Sequence, residues 1–485
     1  METINRLILR GTFAIMALAG LMGCSTQTET VSLQVDTTRS FSNGGTQEIP
    51  DRWWTVFGDQ KLNILVDSAL QANFNIQTSW QRLQEAQAIA KRTSASLFPG
   101  VDASLSGEAG QDPSTFRQDQ RLRLGLRAQY EVDLWGNIQS RVEAERYRSR
   151  AAFTDYQTAA LSLSAEIVHT WYQLIAAEKQ MTLIQKQIQT NEKVLTLLKN
   201  RFGNGQIRSA DILRQQQLLE STREQMHYAK TKIQVLKHQL SVLLGRPPQV
   251  DFQVMGNDLP DLPPLPETGI PTELIHRRPD IKSAFNRLQA ADQEVAAAIS
   301  NRYPRLSLNV TTSTAADNAE DLFNDWARSI AGNLLTPIFY AGQLNAEIER
   351  TLSMKRQRLF EYEQTLLNAF REVEDALIQV KNQKESIQNI QHQIALAQKT
   401  YRQLRIEYFN GMGGYLDVLT ALDEQQQLRR DLLSARLTLM EYRIALYRSL
   451  AGGFETKREN HNETFMRKTD TKGTYIAMKV PWVFY

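Results

Sequence analysis

The sequence predicts an α+β protein built as an internal tandem repeat, each repeat carrying a helix, two strands and a long helical hairpin. Three observations predict it. Related segments recur at a nearly constant offset. Apolar residues recur in steps of three and four over very long stretches. From Arg121 to Leu134 apolar and polar residues alternate without a break.

Residues 15–26 read IMALAGLMGCST and contain Cys24, the one cysteine among 485 residues. Arg6 and Arg10 precede an apolar stretch from Gly11 to Met22, the layout of an export signal. At about 12 residues that stretch is too short to span a bilayer. Leu21-Met22-Gly23-Cys24 resembles a bacterial lipobox, with Met22 a less usual choice. The resemblance implies a lipoprotein signal peptide over 1–23 and acylation of Cys24, while Ser25 does not match an inner-membrane retention signal. An ordinary signal peptide with an incidental cysteine is the alternative. A lone thiol forms no internal disulfide, so packing must stabilise the exported chain. Residues 24–60 then form an extended N-terminal segment.

Composition excludes more than it indicates. With 56 Lys and Arg against 53 Asp and Glu, no strong field points to nucleic acid or to an acidic substrate. Past the signal region no segment is apolar for the roughly 18 residues that a transmembrane helix needs. Any structure that spans a membrane must then be a closed barrel.

The repeat is read from four anchors. Arg82-Leu83-Gln84 matches Arg287-Leu288-Gln289 and Phe98-Pro99 matches Tyr303-Pro304, both 205 positions apart. Gly136-Asn137-Ile138 matches Gly342-Gln343-Leu344 and Asp211-Ile212-Leu213 matches Asp417-Val418-Leu419, both 206 apart. Repeat 1 spans 61–245 and repeat 2 spans 273–453. Between them, 246–272 is a proline-rich linker, because its prolines forbid a regular helix or a central strand.

In repeat 1 apolar residues hold coiled-coil spacing from Phe153 to Phe202, broken at Thr170 and Asn191. In repeat 2 they hold it from Leu359 to Tyr408, broken at Gln383. Helices that begin just past their glycines, at Asn137 and Gln343, would be about 65 residues long and reach ~100 Å. Each stops at a glycine-rich turn, RFGNGQIRSADIL or YFNGMGGYLDVL, where glycine supplies the left-handed conformations of a reversal. A second apolar stripe then returns in each repeat, completing two helical hairpins. The glycine clusters lack the strand and the Lys-Ser/Thr ending of a phosphate loop.

At the other end of each long helix the period falls to two. Leu122, Leu124, Leu126, Ala128, Tyr130, Val132 and Leu134 face one way, with Arg121, Arg123, Arg127, Gln129, Glu131 and Asp133 opposite. Val101, Ala103 and Leu105 alternate in a second strand, and Leu306, Leu308 and Val310 in a third. A fourth is expected around Ile330 to Thr336. Apolar outside and charged inside is the pattern of a lipid-facing barrel with a wet lumen. A soluble hairpin alternates in the same way.

The ordered set Trp53-Trp54 with Phe57, RLQEAQA, LFP, YEVDLWG, RRPDI, LTPIFYAGQL and YLDVLTALDEQQQL resembles the TolC/OprM family of outer-membrane efflux channels, in its lipoprotein branch. The likeness covers roughly residues 50 to 452. It implies a homotrimer in a Gram-negative outer membrane. Each subunit would give four strands to a twelve-stranded β-barrel continuous with a long periplasmic α-helical barrel. It also implies two partners, a periplasmic adaptor (membrane fusion protein) and an inner-membrane pump, and a role as a passive conduit for small molecules. Physics independently requires several copies, since four strands leave open edges that lipid does not tolerate.

The same likeness supplies site residues. The turn residues Gly203, Gly205, Asp211, Gly411, Gly413 and Gly414 would meet the adaptor. Related channels carry acidic rings just after the second turn. Here Asp417 matches the first acidic position, while Thr420 stands at the second. Asp417 either rings the aperture or, like Asp211, caps its return helix. Trp135, at a strand-to-helix junction, is either an interfacial aromatic or a packing residue. No catalytic apparatus is visible. His169, His227, His238, His276, His392 and His461 are scattered without metal-ligand spacing, so neither metal nor cofactor is expected. An adaptor or structural coiled-coil lipoprotein without a pore is the alternative function, and within the channel class, type I protein secretion. Residues 454–485 lie outside the likeness and are expected to be poorly ordered.

Overall fold

The computed structural model describes residues 40–111, 118–248, 259–269 and 271–456. Residues 1–23, Cys24 and most of the C-terminal tail lie outside them. The elements run α1 (Gln60–Ala72), α2 (Phe74–Ser94), β1 (Gly100–Gln111), β2 (Gln118–Val132), α3 (Asn137–Gly203) and α4 (Ser209–Leu243). After the linker come α5 (Pro271–Arg277), α6 (Pro279–Ser300), β3 (Arg305–Ala316), β4 (Ala327–Leu335), α7 (Gln343–Phe409) and α8 (Tyr415–Leu450). Among the described residues no helix is apolar enough over the required length to cross a membrane.

Two compact units divide the chain. One holds Gln81–Phe153 and Ile281–Leu366, and thus all four strands. The other holds the described residues of Asp36–Trp80, Thr154–Asp280 and Leu367–Tyr485. Helices α3 and α7, each 67 residues long, contribute residues to both. They begin directly after Gly136 (φ 71°) and Gly342 (φ 86°), whose left-handed conformation turns the chain out of the strands.

The strands form one antiparallel sheet in the order β1-β2-β3-β4. Register divides their side chains between two faces. Leu105, Leu124, Leu126, Val310, Thr312 and Ile330 fall on one face, and Asp102, Arg127, Thr311 and Ser329 on the other. The apolar face is largely bare: Ile330 is 82% exposed and Leu105 70%. Strands β1 and β4 are the two unpaired edges, and β4 is exposed along its whole length.

The second unit has a conventional core. Trp53, Trp54, Phe57, Tyr172 and Tyr447 are buried together with Ile167, Leu174, Leu236 and Leu240. The segment expected to be extended to residue 60 instead contains a 3-10 helix at Trp53–Phe57, because its three aromatic side chains must reach that core from one turn. Asp59 then caps α1, accepting from the Lys61 and Leu62 amides at 2.9 and 3.2 Å, while its other oxygen accepts from Trp171 Nε1 at 2.8 Å. The opening helix of each repeat is broken in two. Asn73 breaks the first by accepting from the Asn75 and Ile76 amides, and Arg278-Pro279 breaks the second.

The linker is pinned at several points. The Gly45 amide donates to Pro266 O and the Glu267 amide to Gln47 O, each at 2.8 Å, and Arg443 donates to Pro263 O. The start of the expected disordered tail is packed. Phe454 meets Trp54 at 4.9 Å between ring centroids, and Thr456 shares a hydrogen bond with Tyr156 at 2.7 Å. Residues 457–485 lie outside the described residues.

Candidate functional site

The two glycine turns close the helical hairpins in the second unit. Helix α3 ends at Gly203 and the chain reverses through Gly205 (φ 69°), and α7 ends at Phe409 before Gly411 (φ 76°). Neither Gly205 nor Gly411 has an atom near the position of a Cβ, so backbone conformation, not space, calls for glycine there. Gly413 precedes Gly414, which is the N-cap of α8 and offers no side-chain cap.

Behind the turns lies a small core of Leu198, Tyr415 and Val418. The Tyr408 ring sits 5.5 Å from that of Tyr415, and the Arg201 guanidinium lies 5.0 Å from Tyr408 and 5.2 Å from Phe409. Tyr415 donates to Gln215 Oε1 at 2.5 Å, and burial pushes its phenol pKa upward, so it remains a donor. Around this core Phe202, Leu213, Phe409, Met412 and Leu416 are exposed apolar side chains.

Asp211 and Asp417 occupy the same place in their helices, the third residue of α4 and of α8, so neither is the N-cap residue itself. Their surroundings differ. Asp211 is buried, with Arg214 and Arg208 at 3.8 and 4.0 Å from Oδ1. Asp417 is exposed. Thr420 is also exposed, and its hydroxyl donates back to Leu416 O at 2.9 Å. Trp135 belongs to the other unit, where it stacks on Tyr303 at 4.9 Å and donates to Pro304 O at 2.8 Å, joining the β2–α3 junction to the α6–β3 junction.

Sequence reasoning passed over a buried polar layer beneath the turns. Asn191, noted only as a gap in an apolar stripe, is fully buried. Its Oδ1 accepts from Gln426 at 2.9 Å, its Nδ2 donates to Thr222 at 3.1 Å, and its carbonyl accepts from Gln215 at 3.1 Å. Gln187 donates to Gln426 O at 2.9 Å and accepts from Arg430 at 2.7 Å. Helices α3, α4 and α8 are thereby fixed in register, since a slip would leave these groups buried without partners.

The family described as Outer membrane efflux protein matches residues 65–246 and 270–452. The pyoverdine export outer membrane protein OpmQ of Pseudomonas aeruginosa is 29% identical over 424 residues, 84% of this chain and 88% of that protein. The cation efflux system protein CusC of Escherichia coli K12 is 27% identical over 412 residues, 83% of this chain and 88% of that protein. Among solved structures, a CusC chain superposes with a TM-score of 0.82 at 25% identity, over 89% of this chain and 100% of that one. The outer-membrane channel OprN superposes at 0.80 with 26% identity, over 89% and 99%.

Proposed function

Because this chain belongs to the outer membrane efflux protein family, we propose that three copies form a passive duct from periplasm to exterior, loaded by an inner-membrane pump through a periplasmic adaptor. The observation that carries this is the sheet: four strands with two open edges and a bare apolar face, feeding two 67-residue helices. Unpaired backbone groups cost several kcal/mol each in lipid, so other copies must complete the ring, and the polar face then lines water. Three copies give twelve strands, and the helical hairpins extend the wall into the periplasm.

The turns at Gly203, Gly205, Gly411, Gly413 and Gly414 form the adaptor-facing end, with the exposed apolar side chains around them as the contact. Cys24, acylated, tethers the chain to the outer membrane, and Trp135 sits at the level of the barrel's periplasmic rim. The cargo follows the pump: OpmQ and CusC are nearly equally similar to this chain but are named for different exports. The purified protein should need detergent and migrate as a heat-modifiable trimer. A detergent-independent monomer without transmembrane β-structure would overturn the duct.

Asp417, exposed just beyond the second turn, is proposed as the single carboxylate ring of the aperture, with Thr420 leaving the second position uncharged. Three converging carboxylates favour cations. Asp417→Ala should therefore raise single-channel conductance or reduce cation preference in planar bilayers. Unchanged conductance and preference would assign Asp417 to the helix dipole alone.

A further inference from the structure

The polar face of the sheet carries an uneven charge pattern. Asp102 stands opposite Arg127 and Glu108 opposite Arg121, so two arginines of β2 have a carboxylate directly across. Arg123, between them, faces Ser106 on β1 and Ala315 on β3. The next row on that face reads Ser104, Gly125, Ser313 and Ala327. A Cβ on Gly125 would touch Ser104 Oγ at 3.3 Å and Ser313 Cβ at 3.5 Å, so these small side chains close around it. Arg123 is exposed and rises from a floor of serine, glycine and alanine, with no carboxylate opposite it in either register.

We propose that Arg123 is an anion-recognition residue of the outer part of the duct, binding solutes that carry carboxylate, phosphate or a comparable multivalent negative group as they pass. The inference rests on the duct reading, in which the polar face lines the lumen. Three copies then place three guanidiniums at one level, near the β1–β2 hairpin. A guanidinium is weakly hydrated and presents a fork of donors matched to oxyanions. Like charges converging in a narrow passage focus the field on a passing ion. Arg121 and Arg127 contribute less, because Glu108 and Asp102 offset them.

The turn between β3 and β4 holds Asp317, Glu320, Asp321 and Asp325 at the same end, so selectivity in simple salt mixes the two signs. A compact multivalent anion that blocks the passage separates them. With the full-length protein in planar bilayers at low salt, hexacyanoferrate(II) added on the hairpin side should block wild-type current, and the block should fade as potassium chloride is raised. Arg123→Gln should weaken it about tenfold or more, whereas Arg123→Lys should retain most of it. If the glutamine variant does not assemble, Arg123→Ser, matching its neighbours on that face, replaces it. An unblocked wild type, or equal block in wild type and variant, would overturn the assignment. Absence of any channel would instead overturn the duct reading beneath it.

Discussion

Replacing Arg278 by alanine should destabilise the second unit by about 3 kcal/mol, at the lower end of what removing one partner from a buried ion pair costs. Its guanidinium donates to both oxygens of Asp280 at 3.0 and 2.7 Å, to Glu372 at 2.8 Å and to Ser449 O at 3.2 Å. One side chain thus ties the α5–α6 junction to α7 and to the end of α8. The burden of burial is unequal: the Arg278 side chain is 9% exposed, but those of Asp280 and Glu372 are 31% and 33%. Water can therefore solvate the carboxylates once the arginine is gone. The reverse change strands a cation. Burial alone pulls the Arg278 pKa down, and Asp280 and then Glu372 more than offset it, so its net pKa is raised. The Asp280→Ala, Glu372→Ala double variant should consequently be less stable than Arg278→Ala. Urea unfolding of the detergent-solubilised protein, followed by tryptophan fluorescence, reports the order. Losses below 1 kcal/mol in both would show that the node holds nothing together.

Local chemistry made much of this fold readable. The long helices begin at Asn137 and Gln343, as the preceding glycines predict, since a positive φ is what a strand-to-helix corner needs. Alternation identified β2, but ran two residues past its end at Val132. Asp133 is instead turned to accept from the Gln139 amide at 2.7 Å, serving the start of α3 while still fitting an alternating pattern. The fourth strand, expected around Ile330 to Thr336, begins three residues earlier and ends at Leu335. It runs Ala327–Leu335, and its register is set by β3 rather than by its own sequence, which puts Arg328 on the apolar face. The RRPDI segment was legible as a motif, but not as an ion-pair node, because its partners Glu372 and Ser449 lie 94 and 171 positions away. Asn191 shows the same limit. A polar residue in an apolar stripe signals an exception, while Thr222 and Gln426, which satisfy it, sit on other helices whose register the stripe does not give.

Trp53→Ala should be the most damaging single truncation in the aromatic core, costing about 3–5 kcal/mol. Trp53 is fully buried, with Trp54, Phe57 and Tyr447 rings 6.1, 6.3 and 6.2 Å from its own. A buried tryptophan removes roughly 150–250 Å² from water, worth about 4–6 kcal/mol at ~25 cal/mol per Å², so the apolar term dominates. The polar term is small. Trp53 Nε1 donates to Ser164 Oγ at 3.1 Å, but that hydroxyl also donates to Leu161 O at 2.7 Å and stays partnered after the truncation. Trp53→Phe should accordingly recover most of the loss. Because Trp53 stands on the 3-10 turn that anchors the N-terminal segment in this core, its removal should free that segment before the long helices melt. Limited proteolysis should then cut between residues 40 and 58 in Trp53→Ala but not in wild type. Equal protection of both would mean that Trp54 and Phe57 hold the segment without it.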